Sequence, residues 1–198
     1  MSPTATLRPL ILASTSRYRS SLLTRFGLEF TARNPGVDEI ERPGESPRGR
    51  AFRLSEAKAE AIARELPNAV VIGGDQVPAA STTILHKPGN AANCREQLKL
   101  LSGSTAEFYT ACTVRCVETG VKLSHVDTTA VKLRPLSDAE IDRYIEREQP
   151  FDCAGGFKAE ALGITLFERI DCEDPTAIVG LPLIWLAGAL RAVGFEVP

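Results

Sequence analysis

Apolar positions along the chain switch between two periods, and the switches mark the elements. Leu7 to Ala13 is a compact apolar run of buried-strand type. Arg17 to Phe26 follows with helical spacing that buries Leu22, Leu23 and Phe26, and Gly27 ends it. Leu28 to Ala32 predicts a second strand, and residues 34–49, rich in Pro, Gly and charge, predict a loop. Gly49 to Leu66 is a helical pattern with an apolar stripe of Leu54, Ala57, Ala61 and Ile62. Ala69 to Gly73 predicts an apolar strand that runs directly into Asp75, and Asn90 to Leu101 predicts a helix. Phe108 to Val117 and Leu123 to Leu133 alternate as two long antiparallel strands around a turn at Gly120. Ser137 and Glu140 have the spacing of a capping box, so a helix is expected from there to near Glu148. A glycine turn at Ala154-Gly155-Gly156, a strand over Thr165 to Ile170 and a helix from Pro182 to Val193 complete the series. This is the pattern of a mixed α/β protein without internal repeats.

Bulk properties narrow the function. A chain of 198 residues is long enough for one sizeable domain, taken here as residues 1–198. A net charge of −2 argues against a nucleic-acid partner, so any phosphate site must be a local cluster of basic groups. The longest apolar run, Ile178 to Leu190, is too short to span a bilayer and contains Pro182, which argues against a membrane protein. Five cysteines without a CxxC pair, and only two histidines, argue against zinc. No signal-peptide pattern opens the chain. The expectation is a cytoplasmic protein with reduced thiols.

Candidate chemistry begins at Ser14-Thr15-Ser16-Arg17-Tyr18-Arg19, where three hydroxyl residues and two arginines follow a strand and open a helix. Free N–H groups and the dipole at a helix start favour phosphate; taken alone, an ordinary capped helix with solvated arginines is the commoner reading. Asp75 follows a strand with no polar side chain, where ligands of α/β sheets gather, and the two preceding glycines allow close approach. It could bind a divalent metal or accept a proton from water, or simply begin a turn. Glu39, in the Pro/Gly-rich loop, is a second carboxylate; together the two suit magnesium, which takes one or two carboxylates plus waters and substrate phosphates. Lys58 lies on an Ala-rich helix, where a solvated lysine is the usual outcome. Lys87 precedes Pro88, which restricts its backbone. No Walker A, GxGxxG or HExxH pattern is present.

These segments, in order along nearly the whole chain, resemble the Maf family of nucleoside triphosphate pyrophosphatases. The resemblance is carried by Leu12-Ala13-Ser14-Thr15-Ser16 with Arg19, Val37-Asp38-Glu39, Ala57-Lys58-Ala59, Ile72-Gly73-Gly74-Asp75-Gln76-Val77 and Lys87-Pro88. It continues through Leu101-Ser102-Gly103, Tyr109-Thr110, Ala154-Gly155 and Gly180-Leu181-Pro182-Leu183. It implies a two-lobed α/β fold, like that of the inosine triphosphatases, around a long mixed sheet with the active-site cleft between the lobes. It implies hydrolysis between the α and β phosphates, a divalent cation (Mg, Mn or Co), a small-molecule nucleotide substrate and a homodimer. Carried over by motif, Asp75 is the expected proton acceptor, with Lys58 and Lys87 as catalytic cations. Ser14 and Arg19 are expected to hold phosphate, and Glu39 with Asp75 the metal.

Within the family the chain is similar to the 7-methyl-GTP branch rather than the dTTP/UTP branch. Tyr18, Asp75-Gln76 and Glu160 carry that similarity, with Phe151 to Glu160, Thr165 to Arg169 and Asp174-Pro175-Thr176. N7 methylation makes guanine cationic, so an aromatic face at Tyr18 would attract it. Glu160 could accept guanine N–H donors, and Gln76 could add a donor and an acceptor. A dTTP/UTP pyrophosphatase, or a nucleotide-binding regulator of cell division without turnover, is the alternative. Arg17 stands where the family usually has proline, and Cys172, where the branch often has glycine, is expected near the cleft as a thiol-sensitive position.

Overall fold

The computed structural model describes residues 8–198. Seven strands, β1 (Leu10–Ala13), β2 (Thr31–Ala32), β3 (Val70–Ala80), β4 (Thr83–Ile84), β5 (Thr105–Cys116), β6 (Val121–Leu133) and β7 (Phe167–Asp171), form one mixed sheet. The strand order is β2-β1-β3-β5-β6-β7, with β4 added to β3. β1 is parallel to both its neighbours, and the other pairings are antiparallel. The helices are α1 (Arg17–Leu23), α2 (Pro47–Glu65), α3 (Ala91–Leu101), α4 (Asp138–Glu148) and α5 (Leu183–Ala192). None of the helices among the described residues is long and apolar enough to cross a membrane.

The alternation of β3, β5 and β6 sends their side chains to two faces. One face carries two cores. In the first, Leu22 and Leu23 of α1 and Leu186 and Leu190 of α5 close over Leu12, Ile72 and Val114. In the second, Leu98 and Leu101 of α3 and Ile141 and Tyr144 of α4 close over Phe108, Val131 and Leu133. Burying each such leucine contributes about 2 kcal/mol. Between the two cores runs a polar rung of Gln76, Thr110 and Asp127, paired across β3, β5 and β6. The rung divides that face of the sheet into two separately packed halves. On the opposite face α2 lies over β3 and β5, and its Ile62 and Ala63 pack against Ile11, Ala13 and Val71.

Several boundaries differ from the sequence expectation. The strand expected to stop at Gly73 runs on through Asp75 to Ala80, because β5 pairs with it at nine positions and outweighs the local turn propensity of Gly-Gly-Asp. β1, however, stops opposite Gly73, and β4 pairs only with Ala79 and Ala80. The edge of β3 between them has no partner strand, and Pro78 sits there without breaking the ladder to β5. α1 is shorter than expected: it ends at Leu23, followed by a single 3-10 turn that Gly27 closes at φ 67°. α2 starts two residues early, at Pro47, with the Ser46 hydroxyl accepting from Gly49 N–H at 3.1 Å. The second strand shrinks to Thr31–Ala32, and Leu28 and Phe30 pack on the first core instead. The capping box of α4 forms as expected, with Glu140 Oε2 accepting from Ser137 N–H at 2.8 Å. The first strand begins at Leu10 within the described residues; the predicted start at Leu7 lies outside them.

Candidate active site

The bare edge of β3 opens a cleft, and the charged residues converge on it from both faces of the sheet. Asp75 points to the α2 face, where it is buried. Lys58 of α2 meets it: its Nζ donates to Asp75 Oδ1 at 2.6 Å and to Glu39 Oε1 at 2.5 Å. The solvated-lysine reading of Lys58 is therefore wrong; the side chain is 8% exposed and serves two carboxylates. Gly73 makes this possible. A Cβ there would lie 2.2 Å from the Ser55 carbonyl oxygen and 2.6 Å from the Ala59 nitrogen, so only glycine lets α2 approach so closely. The glycine pair was expected to leave room for a ligand; at Gly73 the room is taken by the protein's own helix. The loop carrying Glu39 is strapped to α2 as well. Arg50 donates to the Glu39 carbonyl at 3.0 Å, and Arg53 to the Ile40 carbonyl at 3.1 Å and to both oxygens of Glu45. Nothing in the local sequence signalled this role for Arg50 and Arg53.

Burial pushes the Asp75 carboxyl above its ordinary value, against the lowering influence of Lys58 and Arg19. Glu39 behaves oppositely: its partial burial raises it, but Lys58, with Arg19 and Lys87 nearby, brings it below the usual carboxylate range. One carboxyl thus has enhanced basicity and the other stays ionised, the separation a proton acceptor and an anionic ligand require.

The opposite wall is built on Ser14 and Arg19. Ser16, not Ser14, caps α1, its hydroxyl accepting from Arg19 N–H at 3.4 Å. Ser14 is buried and its Oγ accepts from Ser16 N–H and from Arg19 Nη1 at 3.2 and 3.3 Å. The Ser14 hydroxyl proton remains to donate into the cleft. Arg19 Nε donates to the Gly180 carbonyl at 3.1 Å, and its stem passes over Gly74, where a Cβ would sit 3.3 Å from Cδ.

A cavity of about 670 Å³ is lined by Ser14, Tyr18, Arg19, Glu39, Lys58 and Lys87. A smaller one of about 160 Å³ adjoins it through Tyr18, Arg19 and Lys87, and brings in Gln76 and Glu160. A third, of about 370 Å³, runs along the β3 edge and holds Asp75, Gln76, Glu39 and Lys87. Every site residue named from the sequence therefore lines one of three contiguous spaces. Lys87 is exposed, lines all three and makes no ion pair among the described residues.

Two expectations need correction. The Gln76 amide nitrogen is already committed, donating to Thr110 Oγ1 and to the carbonyls of Ala177 and Ile178 at 2.9 to 3.0 Å. It ties the 177–180 turn to the sheet, so its donor is not available to a base; only its side-chain oxygen is. Cys172 is exposed and lines none of these spaces. The thiol at the cleft is Cys153, whose Sγ lies 3.6 Å from the Tyr18 hydroxyl and which burial pushes up to about 11. Asp174 and Thr176, part of the branch resemblance, are structural: the Asp174 carboxylate accepts from Thr176 N–H and from Ile184 N–H in the first turn of α5.

The donor set fits a divalent cation. Two carboxylate oxygens from different elements already converge on one positive charge, the Lys58 ammonium. No cluster of three His, Cys, Asp or Glu occurs among the described residues, so a bound ion would complete its shell with water and substrate oxygens, as magnesium commonly does.

Residues 9–193 match the protein family described as Maf-like protein. The 7-methyl-GTP pyrophosphatase of Polaromonas sp. is 49% identical over 191 residues, covering 96% of this chain and 87% of that protein. That of Xanthomonas oryzae pv. oryzae is 50% identical over 189 residues, covering 96% and 98%. That of Bordetella avium is 48% identical over 188 residues, covering 94% of each. The HAM1 protein from Coxiella burnetii aligns over 64% of this chain and 73% of its own, with 14% identity and a TM-score of 0.43, too slight a likeness to carry an inference.

Proposed function

The chain belongs to the Maf family, and from that premise we propose that it hydrolyses 7-methyl-GTP to 7-methyl-GMP and pyrophosphate. The observation that carries the reading is near-half identity to proteins of that activity over almost the whole chain, with Asp75, Lys58 and Glu39 joined in one buried cluster. Such an enzyme removes a modified nucleotide before it can enter nucleic acid.

Arg19 and the Ser14 hydroxyl hold phosphate oxygens on one wall, the planar guanidinium matching two oxygens at once. Lys87 faces the developing charge of the pyrophosphate leaving group from the other side. Glu39 and Asp75 would hold the divalent cation, which when bound draws charge from the phosphate oxygens. Asp75, its basicity raised by burial, takes a proton from the attacking water as the oxygen bonds to the α phosphorus and the bond to the β-phosphate oxygen breaks. Lys58 is the counter-ion that keeps Asp75 and Glu39 together; only its third N–H is free to reach a phosphate. Tyr18 stacks on the base made cationic by methylation, with Glu160 a carboxylate on the same smaller cavity.

Pyrophosphate release from 7-methyl-GTP, GTP, dTTP and UTP, each with Mg, Mn or Co, tests the reading. 7-methyl-GTP is expected to give the highest kcat/KM; a preference for dTTP or UTP overturns it, and no turnover with any of them makes the chain a binding protein. Asp75→Asn is expected to lower kcat by about a hundredfold or more while the protein still melts cooperatively. We further take residues 1–198 as one cytoplasmic unit acting as a homodimer, which light scattering checks.

A further inference from the structure

Tyr18 has both a cation and a carboxylate in contact with it. The Arg17 Cζ lies 4.9 Å from the Tyr18 ring centroid. Its Nη2 donates to the Tyr18 hydroxyl at 2.9 Å and to Asp152 Oδ2 at 3.2 Å, and the same Oδ2 accepts from the Tyr18 hydroxyl at 3.2 Å. A guanidinium is planar, delocalised and carries N–H donors on its edge. The 7-methylguanine ring is also planar, delocalised and cationic, with N–H donors along its pairing edge. We propose that Asp152, with the Tyr18 ring, is a further specificity-determining residue for the cationic base, beside Glu160, and that Arg17 fills the base's place in the free protein. The proposal rests on the 7-methyl-GTP reading above.

Three observations support it. Arg17, Tyr18 and Asp152 line the same large cavity as Ser14, Arg19, Lys58 and Lys87, so a base seated there leaves its triphosphate against the phosphate-binding groups. The Arg17–Asp152 pair is loose, with side chains 72% and 51% exposed, and an exposed pair of this kind is cheaply opened. Glu160, the other candidate carboxylate, lines the adjoining smaller space, so both carboxylates lie on spaces that Tyr18 borders. Guanine without the methyl group offers the same donors but no charge. Asp152 therefore discriminates by charge, as any carboxylate beside the ring does.

The test is the ratio of kcat/KM for 7-methyl-GTP over GTP in the wild type and in Asp152→Asn, Glu160→Gln and Arg17→Ala. In Asp152→Asn the ratio is expected to fall by more than about threefold through KM, the scale of a weakened charge-assisted hydrogen bond at a half-exposed site. Arg17→Ala is expected to lower the KM for 7-methyl-GTP, because the competing cation is gone; this variant leaves the 150–156 turn untouched and carries the test if Asp152→Asn folds poorly. An Asp152→Asn ratio within about threefold of wild type overturns the assignment whatever Glu160→Gln shows, as does a raised KM in Arg17→Ala. A wild type without preference for 7-methyl-GTP overturns the substrate reading, and this proposal with it.

Discussion

Gly73 and Gly74 are neighbours on one strand, yet substituting each with alanine should fail in different ways. In Gly73→Ala the new Cβ meets backbone: it would lie 2.2 Å from Ser55 O, 2.6 Å from Ala59 N and 2.8 Å from Ala59 Cβ. To reach an ordinary contact of 3.4 Å, α2 and β3 must separate by about 1.2 Å. The Ser55–Thr113 hydroxyl contact of 3.0 Å and the Lys58–Asp75 bond of 2.6 Å both span that gap and would stretch beyond hydrogen-bond range. Overpacking usually costs about 1–3 kcal/mol. A helix and a strand are less able to yield than side chains, so the upper end applies, less the fraction of a kcal/mol that alanine returns by restricting the unfolded chain. Thermal unfolding followed by circular dichroism should therefore show a midpoint lowered by about 4–10 °C, with hydrolysis impaired as well. In Gly74→Ala the Cβ meets only side-chain atoms, 3.1 Å from Leu181 Cδ2 and 3.3 Å from Arg19 Cδ and Nε. These can move by a few tenths of an ångström, at about 1 kcal/mol. The displaced Arg19 loses its alignment to Gly180 and Ser14, so kcat/KM should fall about tenfold with little loss of stability. A Gly73→Ala protein as stable as the wild type, or a Gly74→Ala protein hurt more in stability than in activity, would refute the packing argument.

Other consequences follow from the charges and straps. Because Asp75 must be ionised to accept a proton and burial raises its pKa, kcat/KM should fall on acidification at a pH above the ordinary aspartate value of 3.8; Lys58→Met removes a lowering influence and should move that limb to higher pH in a pH–rate profile. Arg53→Met frees the loop bearing Glu39 and should raise the metal concentration needed for half-maximal activity, measured by titrating Mg, with a smaller effect on kcat at saturation. Asp127 is buried with one oxygen unpartnered, and burial together with Asp174 and Glu173 raises its pKa above its unfolded value. Its contribution to stability is present below the unfolded pKa and is lost as pH rises through the folded one. Asp127→Asn should accordingly raise the unfolding midpoint at pH 8 by about 2–4 °C, and less at pH 4, by calorimetry.

How far the site could be read from the sequence depended on whether its parts were local. Asp75 was legible because an unbroken apolar strand ran into it. The continuation of β3 beyond it was not, because Gly73, Gly74 and Pro78 are local breakers that only the pairing with β5 overrules. The order of strands and helices, the capping box at Ser137 and the opening Ser14–Arg19 segment were legible for the same local reason. The burial of Lys58 was not, since it depends on residues 55–59 meeting residue 73. Gln76 shows the opposite error: its chemistry suits a base, but the 177–180 turn, a hundred positions later, claims its amide first.

Even the Lys58 contact had a trace in the sequence that periodicity does not weigh. Ala51, Ser55, Ala59 and Ala63, four residues apart, give α2 a buried face of small residues, and Gly73 is a strand position without a side chain. Small residues on both sides permit backbones to close, and the closing distance sets which side chains reach across. Lys58 adjoins Ala59, which touches Gly73. A long cation placed beside that contact is carried past the plane of small residues to the next polar group on the strand, which is Asp75. The glycine that looked like room for a ligand is thus the reason Asp75 has a counter-ion. Enlarging it should sever the pair without altering either charged residue.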